Sequence, residues 1–314
     1  MITTAEAHPN IALVKYWGKH DVARNVPATP SLSITLDTLK TTTQVTATTG
    51  TDKLYRDNKE THDSKVIDYL NLLRTSHDIG HLEIHTQNNF PTAAGLASSA
   101  SGFAALITAI NTECELGLSS GELSALARRA SGSAARSIFG GFVALNGPDW
   151  QARTLLEPDR WPLRTVVAIT TAARKRTSSS VGMELSKSTS PYYPAWVSST
   201  HADFQEGEAL VARQDFAGLA ALAEFSCLKM HGLMLSTNPG LLYWNAATMA
   251  CIHKVRELRQ AGLPVFFTVD AGPQVKAVCL PEAQGDVSSA LSAIGGVQKV
   301  LLAGLGSGAR IVAS

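Results

Sequence analysis

The sequence is poor in charge. Charged residues make up 17 % of its 314 residues, against a usual value of about 25 %. Lys plus Arg (27) exceed Asp plus Glu (26) by one, giving a formal net charge of +1. A chain this close to neutral has no global field to recruit nucleic acid or an anionic membrane, so an anionic ligand must be held by a local cluster of cations. Cysteine is scarce as well. Cys114, Cys227, Cys251 and Cys279 lie far apart with no C-x-x-C pair, which excludes a disulfide framework and a cysteine-built zinc site and points to a reducing compartment. No run approaches the roughly 18 apolar residues of a membrane span, and MITTAEAHPN has no basic stretch leading into an apolar one, so the expectation is a cytoplasmic protein. The Gly-Lys-Ser/Thr ending of a Walker A loop is missing. The glycine-dense GLGSG (Gly304–Gly308) comes too near the end of the chain to open a dinucleotide-binding βαβ unit. Repeats and low-complexity tails are absent.

What is present is enough apolar sequence, 45 %, for one large domain or two ordinary ones. Ser31 to Thr48, rich in Thr, Val and Ile, reads as two strands joined around Leu39–Lys40. Val66, Tyr69, Leu70 and Leu73 recur at helical spacing between Asp63 and Ser76, with Gly80 as a stop. HLEIHT alternates like a strand, and SSASGFAALITAINTE has the content of a buried helix. Ser119 and Glu122 form a capping box, and Gly140–Gly141 ends a short helix in SGSAARSIFGG. Leu163 to Thr170 reads as a buried strand, and Thr177–Ser190 as an interdomain loop. A long helix is expected near Phe204–Phe225, and a second opened by Asn238 as cap with Pro239 in its first turn. VFFTV and VKAVCL read as strands around a turn, SSALSAI as helix and KVLLA as strand. Strands and helices mixed without strict βαβ alternation predict an α+β protein.

Four segments carry residue types suited to a polyanion. In FPTAAGLASSA, Gly95 permits close backbone approach, and Ser98 and Ser99 stand where a helix begins, a place that binds phosphate; on spacing alone, a plain helix cap accounts for them slightly better. Ser131, Gly132, Ser133 and Arg136 combine hydroxyls, a glycine and a guanidinium able to fork an anion, or form a capped helix with a solvated Arg. Lys15 and Lys19 share a face whether the segment is helical or extended, or are a solvated pair beside two core aromatics. VFFTVDAGP delivers Asp270 to the end of an apolar strand, where carboxylates often face a crevice, though Asp is also an ordinary turn residue. His81, Glu83 and His85 fit the solvated side of a half-buried strand better than a metal face. Arg174-Lys175-Arg176 reads as a charged loop.

In chain order, NIALVKYWGK, SLSITL, NNFPTAAGLASSASGFAAL, SGSAARSIFGGFV, SSSVGM, MHGLMLSTNPGLLYWN and FTVDAGP resemble the diphosphomevalonate decarboxylases, from about Ala7 to about Pro273. The ordered set is far more specific than any one member. The resemblance implies the fold of the GHMP small-molecule kinase superfamily. Its amino-terminal α+β domain (residues 1–178) would be like domain 2 of ribosomal protein S5 and carry the phosphate-binding loop. Its carboxyl-terminal domain (residues 179–314) would be ferredoxin-like, with the active site in the crevice between them. It further implies ATP and Mg²⁺, a homodimer, and a two-stage reaction. The tertiary 3-hydroxyl of mevalonate 5-diphosphate is phosphorylated, then phosphate and CO₂ are lost to give isopentenyl diphosphate, the precursor of isoprenoids.

Carried over by residue, the resemblance implies that Pro91, Ala94, Gly95, Leu96, Ala97, Ser98 and Ser99 face the nucleotide phosphates, with Ser98 and Ser99 also at the magnesium ion. Asn10, Tyr16, Lys19, Ser131, Ser133 and Arg136 would hold the substrate's diphosphate and carboxylate. Asp270 and Lys15 would be the catalytic pair at the 3-hydroxyl. Lys15, Lys19 and Arg136 together make a local basic pocket in a neutral protein. Two positions depart from the family: Thr29–Pro30 stands where many members have Asn followed by Asn or Ser, and Ser180 where several bacterial relatives have Arg. The second bears on whether a 5-diphosphate or a 5-monophosphate is held. The rival readings are a kinase of the same fold that stops at the 3-phosphate, and a non-catalytic metabolite-binding protein.

Overall fold

The computed structural model describes residues 2–90, 97–173 and 175–313. Pro91, Ala94, Gly95 and Leu96 lie outside them. The chain opens with β1 (Thr3–Ala7), β2 (Asn10–Val14), β3 (Lys19–Asp21), β4 (Val26–Pro27), β5 (Ser31–Thr35) and β6 (Thr41–Thr48). Next come β7 (Lys53–Arg56), β8 (Lys59–Glu60), α1 (Ser64–Arg74), β9 (His81–Asn88), α2 (Ser98–Glu113), α3 (Ser120–Ala130) and α4 (Ala134–Ser137). They are followed by β10 (Phe142–Leu145), β11 (Ala152–Leu156), β12 (Arg164–Ile169), α5 (Ser179–Thr189), α6 (Tyr193–Arg213) and α7 (Phe216–Leu235). The chain closes with α8 (Ala246–Gln260), β13 (Val265–Val269), β14 (Val275–Cys279), α9 (Gln284–Ser292), β15 (Lys299–Ala303) and β16 (Arg310–Ala313).

Three sheets carry the architecture, in the orders β16-β1-β6-β9-β7-β8, β11-β10-β5-β2 and β13-β14-β12-β15. The two strands expected around Leu39–Lys40 form, yet they belong to different sheets. β6 alternates buried and less buried residues because one face lies on α2, whose small Ala104, Ala105 and Ala109 let helix and sheet close on Val45, Leu82 and Ile84. β2 and β5 are buried throughout, because the second sheet is covered on both faces. The third sheet is antiparallel, with α8 and α9 packed on it. Its chain order of strand, helices, two strands, helix and strand is the ferredoxin-like arrangement. One apolar cluster joins the second and third sheets through Leu13, Leu32, Phe142, Val167, Phe266 and Val278, with Phe204 and Leu219 of α6 and α7.

The GLGSG run is a stitch between the two ends of the chain. Gly306 donates to Thr35 O (2.8 Å) and accepts from Gly141 N (3.0 Å), and the segment then leads β16 to pair with β1. A Cβ at Gly306 would lie 2.3 Å from Leu36 O, so the close approach requires glycine.

Three expectations about elements are corrected. Thr177–Ser190 is not a loop: Ser178 caps α5 by accepting from Val181 N, and Gly182, Met183 and Ser186 are buried. The Ser/Thr-rich composition hides this helix, which lies on Trp17 because residue 182 has no side chain. Phe204–Phe225 is not one helix but the end of α6 and the start of α7. Gln214 takes a left-handed conformation, and Asp215 accepts from Gly218 N to cap α7. Asn238 opens no helix. Residues 236–245 run without one, delivering Leu241 and Tyr243 to the cluster around Trp17 and Trp196, and the reciprocal box of Asn245 and Thr248 starts α8.

Candidate active site

The ends of β2 and β13 meet. Lys15 is the first residue after β2 and Asp270 the first after β13, and Lys15 Nζ donates to Asp270 Oδ1 at 2.6 Å. Packing of α7 against both strands sets this meeting. Ser226 Oγ accepts from Lys15 N (2.9 Å), and Cys227 Sγ accepts from Val269 N (3.2 Å). His231 Nε2, opposite a carbonyl and hence the protonated nitrogen, donates to Val269 O (3.2 Å). Burial holds the His231 imidazole down at about 3, so it is neutral at physiological pH. Glu224 Oε1 accepts from Phe267 N (3.2 Å). β13 is the edge of its sheet, and these side chains satisfy its outward backbone groups, as a buried edge requires. Thr268 Oγ1 donates to Ala12 O (3.3 Å), tying the two strands directly.

Asp270 opens onto a cavity of about 470 Å³. Lys15, Asn10, Tyr16, Lys19, Ala97, Ser98, Ser99, Ser131, Ser133 and Arg136 all line it, so every expected site residue that is described faces one space. Lys15 is 1 % exposed and the Asp270 side chain 25 %. Burial alone would raise the Asp270 carboxyl, but the charges of Lys15 and Lys276 overcome it and hold the group well below the usual carboxylate range.

Arg136 is held as a fork. Its guanidinium donates to Ser31 Oγ (2.5 Å), Ser33 Oγ (3.0 Å) and Asn10 Oδ1 (3.2 Å), and the Asn10 amide donates onward to Ser133 O (2.9 Å) and Ser137 Oγ (2.8 Å). Among the described residues it has no carboxylate partner, so a buried cation waits for an anion. Burial pulls it below its ordinary value. Tyr16 approaches Gly132 so closely that a Cβ there would meet its hydroxyl at 2.5 Å. That buried hydroxyl has no hydrogen-bond partner among the described residues. Ser99 Oγ and Ser133 Oγ each lie 3.3 Å from Ser131 Oγ.

Sequence reasoning missed several residues here. The charged loop is one of them: Lys175 and Arg176 line the cavity, and Lys175 Nζ donates to Ser179 Oγ (2.7 Å) and Ala271 O (3.2 Å). Burial pushes the Lys175 amine down to about 8 despite the attraction of Asp270. Ser178 and Ser179, in the supposed interdomain loop, line it too, beside Ser180, the position already marked by its departure from the family. Lys276 was missed although a signal existed, since a lysine inside the otherwise apolar VKAVC strand must be paired to be buried; its Nζ lies 3.1 Å from Asp270 Oδ2. Thr29 is fully buried, outside the cavity lining. His85 stacks on Tyr55 and hydrogen-bonds Glu83, as a strand's outer face would. A second cavity of about 210 Å³ adjoins the first at Lys65, Ser98, Ser99 and Phe103, between α1, α2 and strands β6 and β9.

Residues 7–152 match the family described as the diphosphomevalonate decarboxylase-like N-terminal domain, and residues 165–302 the mevalonate 5-diphosphate decarboxylase C-terminal domain. A diphosphomevalonate decarboxylase of Candida albicans is 35 % identical over 290 residues, covering 84 % of this chain and 80 % of the relative. The chain belongs to the diphosphomevalonate decarboxylase family. A solved mevalonate diphosphate decarboxylase from Enterococcus faecalis superposes with a TM-score of 0.90 at 35 % identity, covering 100 % of this chain and 99 % of its own. A further solved structure, a complex with MVAPP, AMPPCP and magnesium, gives a TM-score of 0.92 at 35 % identity with the same coverage. The α+β, two-domain GHMP kinase fold expected from the sequence is therefore the fold of this decarboxylase family member.

Proposed function

We propose that the chain catalyses the ATP-dependent decarboxylation of mevalonate 5-diphosphate to isopentenyl diphosphate, releasing ADP, phosphate and CO₂. The observation that carries this reading is the cavity itself: one partly exposed carboxylate, Asp270, among the buried cations Lys15 and Arg136 and the half-buried Lys175, with serine hydroxyls in the same lining. That surplus of positive charge suits a ligand bearing a diphosphate and a carboxylate.

In this reading Tyr16, Lys19, Ser131, Ser133 and Arg136 hold the anionic ends of the substrate, with Asn10 fixing the Arg136 fork. Asp270 orients the 3-hydroxyl, and Lys15 keeps the carboxylate charged and neutralises charge that develops in transfer. A loose phosphoryl-transfer transition state needs little early deprotonation, so a weakly basic carboxylate suffices for the role. Phosphate is a far better leaving group than hydroxide from a tertiary carbon, so its departure and that of CO₂ can proceed together.

Ser98 and Ser99 at the start of α2 suit the nucleotide phosphates and Mg²⁺. Ala97 precedes α2 with φ 55° and offers no side-chain cap, which leaves the helix N-terminus suited to an anion. The adjoining second cavity suits the nucleoside. Bound magnesium supplies charge neutralisation on the transferred phosphoryl group.

A homodimer belongs to the same proposal. Phe225 and Leu235 of α7, with Tyr192 and Leu242, are apolar side chains more than half exposed, and sedimentation of the chain as a single 33.3 kDa species would contradict it. No helix among the described residues is long and apolar enough to cross a membrane.

The test supplies ATP and Mg²⁺ with mevalonate 5-diphosphate, mevalonate 5-phosphate or mevalonate in separate reactions and follows ADP, phosphate and CO₂. Equal release of all three from the diphosphate is the expected result. Equal release from the monophosphate alone would reassign the substrate, and ADP without CO₂ would mean a kinase.

A further inference from the structure

Asp270 is gripped from two sides. Lys15, at the end of β2, takes Oδ1 at 2.6 Å, and Lys276, within β14, takes Oδ2 at 3.1 Å. Both lysine side chains are 1 % exposed. Lys15 lines the cavity and Lys276 does not, so Lys276 reaches the carboxylate from the side away from a ligand. Its place in the strand is fixed: residue 276 stands opposite Thr268 of β13 and Val167 of β12, with buried Val275 and Ala277 beside it.

One lysine already pairs the single carboxylate, and a second buried ammonium costs desolvation that an apolar residue of similar volume would avoid. Among the described residues no second carboxylate stands beside the pair. Arg136 of α4, Lys175 before α5, and Cys227 and His231 of α7 include no second acid. Both carboxylate oxygens are therefore occupied from the protein side, Oδ1 by Lys15 and Oδ2 by Lys276.

We propose that Lys276 is a positioning residue for the reaction: by holding Oδ2 while Lys15 holds Oδ1, it keeps the Asp270 carboxylate charged and in one orientation toward the cavity. Asp270 then serves as a fixed acceptor that aligns the substrate hydroxyl. The inference rests on Asp270 being the group at the reacting hydroxyl. Hydrogen bonding of Lys276 to the carboxylate agrees with the depressed affinity of Asp270 for protons.

The test measures kcat and KM for Lys276→Met and Lys276→Arg at pH 7. At neutral pH, kcat falls about tenfold or more, while KM for both substrates stays within about twofold. Lys276→Arg, which keeps the charge, returns kcat toward the wild-type value. A Lys276→Met enzyme with wild-type kcat would overturn the proposal, as would a lower kcat accompanied by an equal rise in KM or not rescued by Lys276→Arg. Should the Met variant not fold, Lys276→Gln is read on the same division between kcat and KM with the same outcomes. Asp270→Asn is run beside it. Full activity of Asp270→Asn would remove the assignment of Asp270 itself, whereas an inactive Asp270→Asn beside an unaffected Lys276→Met would remove only the role of Lys276.

Discussion

At the scale of single residues, the site is a neutral protein's solution to binding a polyanion: cations withdrawn from solvent near the ends of strands and helices, Arg136 and Lys175 held by neutral partners and Lys15 by Asp270. Lys175 shows the cost of that arrangement. Burial pushes its amine down to about 8, so the free enzyme loses this charge as pH rises through that value, and an anionic substrate is then held less well. The expected result is that kcat/KM for mevalonate 5-diphosphate declines above about pH 8, and that Lys175→Met lowers kcat/KM at pH 7 by about tenfold and flattens the decline. A decline of unchanged size in the variant would assign it to another group. The residues that sequence reading recovered were those with an unusual neighbour, such as Asp270 after an apolar strand or the glycine of Ser131-Gly132-Ser133. Lys175 was hidden in a run of three cations that looks solvated, and only the position of Ser179 and Ala271 shows that it turns inward.

At the scale of elements, periodicity and capping chemistry were legible, and long-range partners were not. α1, α2, α3 and strands β9, β12, β13, β14 and β15 lie where apolar spacing puts them. The box of Ser119 and Glu122 forms as written. Composition misled at Thr177–Ser190, because small hydroxyl residues suit a helix that must pass close to Trp17 as well as they suit a loop. Sequence adjacency misled at β5 and β6, whose pairing is decided by distant strands. The glycines of 304–308 are another long-range effect, unreadable locally. Gly306→Ala is expected to destabilise the protein by about 1–3 kcal/mol, because the added methyl meets backbone rather than a movable side chain. Chemical denaturation measures this, and a variant as stable as the wild type would show that the carboxyl-terminal stitch tolerates displacement.

At the scale of the whole molecule, catalytic geometry is assembled from sequence positions 255 residues apart, Lys15 and Asp270. Neither sheet could bring them together alone. α7 bonds to both strand ends through Ser226, Cys227 and His231, and the shared cluster of Leu13, Val167 and Phe266 keeps the two sheets from shifting. The most direct test of this account is turnover of Asp270→Asn at saturating ATP and mevalonate 5-diphosphate, with nucleotide affinity measured separately. The account predicts at least about a hundredfold loss of CO₂ and ADP release, with nucleotide affinity nearly intact. A variant that kept most of its turnover would contradict it.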